Sequence, residues 1–169
     1  KSVKEDKDEY ITARVIASSG GSFVKTIMVD GGKKHGIKIG NPVLNAYGMI
    51  GRVVELGDRA ARVLLVTDLN SQIPVITEES GYKAILAGNN STSLFLKFIN
   101  IHSVLKIGER LITSGDGGLI PSGLVTGKIS SINGNKVLVK PVLDWDKLNF
   151  VRIIKYDSKK LFYPSRRVN

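Results

Sequence analysis

A passage that occurs twice constrains this chain more than any other feature. Residues 37–56 open with Ile37-Lys38-Ile39-Gly40, continue through Pro42-Val43-Leu44, and reach a strand entered by Met49-Ile50-Gly51-Arg52-Val53. Residues 105–132 open with Leu105-Lys106-Ile107-Gly108, continue through Arg110-Leu111-Ile112, and reach Leu124-Val125-Thr126-Gly127-Lys128-Ile129. Each copy holds an apolar-Lys-Ile-Gly turn, a short apolar strand, a glycine-containing link and a strand marked Gly-Arg or Gly-Lys. One supersecondary unit used twice predicts two similar β subdomains. The repeat carries no catalytic group, so function has to come from surfaces or from a family relationship.

The rest of the chain reads as strand as well. β-Branched and apolar runs occupy 10–17, 23–29, 42–47, 49–56, 61–67, 72–77, 82–87, 93–99, 109–113, 124–132, 136–143 and 148–154. Asn133-Gly134 between two of these runs is a hairpin signal. No window of helical length has a 3.6-residue apolar period; at most a single turn is expected near Val104. Short, evenly spaced strands suit small barrels. The fold class expected is all-β, two small β-barrel subdomains related by an internal repeat. Residues 10–70 form the first barrel and 71–146 the second. Residues 147–169 supply a closing strand and a basic tail, and that strand is able to complete either barrel. The chain begins without Met, and charged residues 1–9 read as the remnant of an N-terminal connection.

Charge sets the class of partner. The formal net charge is +10: the tail from Lys155 onward carries +4, residues 1–9 carry −1, and the body +7. A basic body favours acidic partners such as nucleic acid, anionic lipid or an acidic protein face. There is no Cys, which excludes disulfides and thiol chemistry. No apolar run approaches the length of a membrane helix.

Two constellations invite a catalytic reading, and both fail on order or composition. Ser114-Gly115-Asp116-Gly117-Gly118 has the letters of a serine-protease nucleophile loop, with His35 available as a base. The serine should follow the aspartate and precede the glycines, and Gly117 stands there instead. His35 and His102 are the only histidines, with no carboxylates at ligand spacing around them, so no metal site is expected. No glycine-rich stretch ends in Gly-Lys-Ser or Gly-Lys-Thr before a helix. No catalytic residue and no cofactor are assigned.

One stretch stands out for binding. In a strand, Leu94, Leu96 and Phe98 share one face and Phe95, Lys97 and Ile99 the other. Both faces are apolar apart from Lys97. Phe95 and Ile99 are therefore covered by the neighbouring subdomain or exposed to a partner, and Phe95, Lys97 and Ile99 are the candidate partner-binding residues. Two rings and one cation make a weak platform for single-stranded nucleic acid, which is the alternative function for a basic β-barrel.

Several motifs, in order, give the chain a relationship. They are Gly20-Gly21-Ser22-Phe23 leading into Ile27-Met28-Val29-Asp30-Gly31-Gly32, the first repeat copy over 36–53, residues 62–75, Ile85-Leu86-Ala87-Gly88-Asn89, and Thr113-Ser114-Gly115-Asp116-Gly117-Gly118-Leu119-Ile120-Pro121-Ser122-Gly123-Leu124. Together they resemble the extracytoplasmic domain of the rod shape-determining MreC family. Two positions depart from the family's pattern: Ile120 stands where an aromatic residue usually precedes the proline, and Thr126 where an apolar residue usually precedes the glycine.

The resemblance implies a non-enzymatic scaffold with two β-barrels on the outer, periplasmic face of the bacterial cytoplasmic membrane. An N-terminal membrane helix not present in this chain would anchor it. The implied partners are the elongation-specific penicillin-binding transpeptidase, other membrane proteins of the elongation complex and further copies of itself, with no nucleic acid. The implied role is to control rod shape by organising peptidoglycan synthesis.

Overall fold

The computed structural model describes residues 9–19, 25–100, 102–144 and 147–157. The expected N-terminal remnant and basic tail lie largely outside these residues. Twelve strands build two closed barrels. The first contains β1 (Tyr10–Ser18), β2 (Thr26–Val29), β3 (Pro42–Leu44), β4 (Met49–Leu56), β5 (Ala61–Leu65) and β12 (Phe150–Ile154), in the order β1-β12-β3-β4-β5-β2. The second contains β6 (Gln72–Thr77), β7 (Lys83–Ala87), β8 (Leu94–Lys97), β9 (Arg110–Thr113), β10 (Val125–Asn133) and β11 (Lys136–Pro141), in the order β10-β11-β8-β7-β6-β9. Every strand pair is antiparallel. The chain thus lays down five strands, completes the whole second barrel, and returns with β12 between β1 and β3.

Alternation of apolar residues places the cores. Ala61, Val63 and Leu65 on β5 and Val151 and Ile153 on β12 point into the first barrel. Ile73 and Val75 on β6, Leu94 and Leu96 on β8, and Val137 and Val139 on β11 point into the second. Burying a large side chain of this kind contributes about 1.5–3 kcal/mol. A 3-10 turn lies at Lys33–His35; residues near Val104 form no helix.

The repeat is structural residue by residue. Gly40 and Gly108 hold φ values of 93° and 92°. Their amides donate to Val53 O at 2.8 Å and Ile129 O at 2.7 Å. Gly51 and Gly127 lie where the neighbouring strand passes closest: an added Cβ would meet Leu64 O at 2.4 Å and Lys140 O at 2.6 Å. Both copies bulge at the same place, between Val53 and Glu55 and between Ile129 and Ser131. The β10–β11 loop is Gly134-Asn135, closed by the Asn133–Lys136 pair, one residue later than the Asn-Gly signal suggests. Gly134, with φ 65°, takes the first central position, as a type II′ turn requires.

The two unusual positions are accommodated. Ile120 packs into the second core, and Thr126 is buried there with its hydroxyl donating to Leu111 O at 3.0 Å. The barrels also share residues. Met49, on a first-barrel strand, is buried in the second core. Val142, Leu143 and Leu148, downstream of the second barrel, pack against the first. Asn45 Nδ2 donates to Val142 O across the junction at 2.9 Å.

Candidate interaction surface

The groups that invited a catalytic reading have structural roles. His35 Nδ1 accepts the Gly32 amide at 3.1 Å and closes the 3-10 turn of the first barrel. Ser114 lies in the second barrel's β9–β10 connection, where its Oγ accepts the Asp116 amide at 3.2 Å. Asp116 pairs with Lys83 at 3.3 Å. No group of three His, Cys, Asp or Glu among the described residues is arranged to hold a metal ion.

Glu109 is the one strongly buried carboxylate of the second barrel, the counterpart of buried Asn41 in the first. Its Oε2 accepts from Ser80 N at 2.8 Å, Ser80 Oγ at 2.8 Å and Glu79 N at 3.1 Å. Burial pushes its pKa up. The hydrogen bonds from Ser80 and Glu79, helped by Lys106, outweigh that and hold the carboxyl below its ordinary value. Glu109 is a clamp on the β6–β7 turn, just as Asn41 ties its own turn to Tyr156 O at 2.7 Å.

The outer face of the second barrel differs from that of the first. Residues directly opposite in neighbouring strands share a face. Phe95 pairs with Leu138, Lys97 with Ile85, Ile85 with Pro74, and Ile76 with Ile112. All six apolar residues of these pairs are half-buried on the outside of the barrel. They form an apolar field with Lys97 as its cation. Beside it runs a row of cations directly opposite one another, Arg110, Lys128 and Lys140. Arg110 is held by Glu78 at 2.7 Å. Like charges in register are locally unfavourable, so the row attracts an anionic partner. The first barrel instead carries Arg14, Thr12, Arg62 and Arg152 outward.

Of the three residues singled out from sequence, the structure brings Phe95 and Lys97 onto this face and separates Ile99 from them. Ile99 packs against the second core. The cause is Phe98. Its φ of 61° breaks the strand after Lys97, so the expected Leu94-Leu96-Phe98 face stops at Leu96. Phe98 is 80% exposed rather than inward, and Lys97 Nζ lies 5.9 Å from its ring centroid. Simple alternation cannot find such a reversal. The letters carry no separate signal for it, since Leu94, Phe95 and Leu96 are adjacent apolar residues as well. Ile39 and Ile107, at the tips of the repeated turns, are also exposed; their place directly before a left-handed glycine puts them on a protruding tip.

Comparison with known proteins places this architecture. The family model described as rod shape-determining protein MreC, barrel core, matches residues 15–155. The cell shape-determining protein MreC of Cereibacter sphaeroides is 33% identical over 151 residues, covering 89% of this chain and 50% of that protein. The chain spans about half the length of the curated relatives it matches. The crystal structure of MreC from Pseudomonas aeruginosa superposes with a TM-score of 0.81 at 29% identity, covering 87% of this chain and 99% of that one. A complex between penicillin-binding protein PBP2 and MreC from Helicobacter pylori contains the same fold, with a TM-score of 0.65 at 17% identity over 87% of this chain and 98% of the matched one.

Proposed function

Because the chain belongs to the rod shape-determining protein MreC family, we propose that it is the extracytoplasmic barrel module of a non-enzymatic, membrane-anchored scaffold of the bacterial elongation complex. In this reading it binds and organises the elongation-specific penicillin-binding transpeptidase and so couples peptidoglycan synthesis to rod shape. Other membrane proteins of that complex and further copies of the chain are its remaining partners. The observation that carries the reading is the apolar field of the second barrel, around Phe95 and Lys97, on a fold that in a relative is found in complex with a penicillin-binding protein. Half-buried aliphatic and aromatic side chains beside cations are what a protein interface uses at its centre and rim. The candidate docking residues are Phe95 and Lys97, with Ile99 behind them supporting the strand end.

Surface plasmon resonance with the immobilised extracytoplasmic part of the transpeptidase from the same organism tests the proposal. Saturable binding that survives physiological salt is expected. Binding absent at micromolar concentrations, or equalled by a random-sequence oligonucleotide, would overturn it.

A further inference from the structure

We infer that one end of the second barrel, formed by residues 98–100, residues 102–107 and the β10–β11 hairpin, is a membrane-contact surface whose apolar tips enter the interface of an anionic bilayer. Three large apolar side chains stand out there: Phe98 is 80% exposed, Val104 70% and Ile107 68%. They are not scattered. Val104 lines a shallow groove of about 500 Å³ together with Ile99, Leu105, Ile132 and Val137. Phe98 and Ile107 flank the groove in sequence, and Gly108 N bonds Ile129 O on β10. Phe98 is held outward by a left-handed backbone that an aromatic residue rarely adopts.

Charge follows the same pattern. Lys97 precedes Phe98, Lys106 precedes Ile107, and Lys136 opens β11 beside the groove. Residues 97–108 and 130–137 contain no Asp or Glu. The next carboxylate along the chain, Glu109, is buried and turned into the β6–β7 turn, with Lys106 acting on it. Lysine next to a protruding apolar residue suits a lipid interface: the apolar group enters the acyl boundary while the long stem lets the ammonium stay at phosphate level. Lysines near an anionic leaflet add attraction individually.

The first barrel supplies an internal contrast. Its equivalent tip carries Ile39, 64% exposed, but Lys38 there is paired with Asp157 at 3.3 Å. The groove beside Ile39 contains the Glu55–Arg62 ion pair. Of the two tips, the second combines apolar protrusion with lysines that form no ion pair with another described residue. A lipid surface fits better than an extended protein segment because the barrel is closed, leaving no continuous free strand edge on which an incoming chain could pair.

Co-sedimentation with phosphatidylglycerol–phosphatidylcholine vesicles, and with phosphatidylcholine alone, tests the inference on the full chain. The unmodified protein should bind the anionic vesicles and keep part of that binding at raised salt. The variant Phe98→Ser with Val104→Ser and Ile107→Ser should lose about tenfold or more, and Lys97→Gln with Lys106→Gln and Lys136→Gln a comparable amount. Ile39→Ser should bind as the parent does. If the triple serine variant melts below the parent, Ile107→Ser alone decides, since its side chain contacts solvent. Failure of the parent to bind anionic vesicles would overturn the inference and leave this end for an acidic, apolar protein segment. Undiminished binding by the serine variants would overturn it in favour of the Arg110–Lys128–Lys140 row or the basic tail.

Discussion

Glu109 occupies the position that Asn41 holds in the first copy of the repeat, and the exchange of an amide for a carboxylate puts a titrating group in this turn. A carboxyl whose folded-state pKa is depressed stabilises the fold above its unfolded value, ordinarily about 4.3. That contribution fades as pH falls through the lower folded value. Glu109→Gln should therefore melt below the parent at neutral pH, by about 1–3 kcal/mol for a weakened set of buried acceptor bonds. The gap should close on acidification below about pH 4. Melting curves from neutral to acid pH check this; a gap independent of pH would show that the carboxylate's charge contributes nothing. The glycines make a second residue-scale case. Gly40→Ala forces a left-handed alanine into open space, at a cost of about 1–3 kcal/mol. Gly127→Ala drives a Cβ to 2.6 Å from Lys140 O and 2.7 Å from Val139 Cγ1. Thermal unfolding should rank Gly127→Ala as the more damaging, and the reverse order would mean the β10–β11 contact gives way easily.

At the scale of elements, what was legible was what depends on local period. The strands read correctly because residues such as Ile27 and Val29, Val63 and Leu65, Ile73 and Val75, and Val137 and Val139 are buried at the two-residue spacing of a two-sided sheet. The two β subdomains followed from the duplicated turn, and Gly40 and Gly108 share a conformation because the same turn recurs. Departures from local period were not legible. Phe98 ends β8 by a single backbone rotation, and nothing in the letters distinguishes an inward from an outward aromatic at that position. The outer apolar field was also hidden, since Phe95, Ile85 and Leu138 lie on three different strands and meet only through register. The reversal has a consequence that can be measured. Ile99→Asp places a carboxylate against the second core and should destabilise by about 1–3 kcal/mol or more. A variant melting like the parent would show that Ile99 does not pack inward.

On the scale of the whole molecule, the second barrel is an insertion between β5 and β12 of the first, and the seam is built from both. Met49 leaves the first barrel's strand to fill the second core, while Leu143 and Leu148 return the contact. Met49→Ala should cost about 2–5 kcal/mol as a core truncation and lower the stability of both barrels together. Calorimetry should show one transition in the parent; two well-separated transitions would mean the barrels unfold independently. This shared seam ties the two barrels to each other, as the proposed scaffold role requires.

The proposed function assigns partner binding to the outer apolar field of the second barrel and not to an enclosed site. Phe95→Asp tests it most directly, read by melting temperature and by surface plasmon resonance against the transpeptidase. Phe95 is half-buried on the outside of β8, so the variant should melt close to the parent and lose binding, since an aromatic anchor at an interface is commonly worth about 2 kcal/mol or more. A variant that melts normally and binds as the parent does would contradict it.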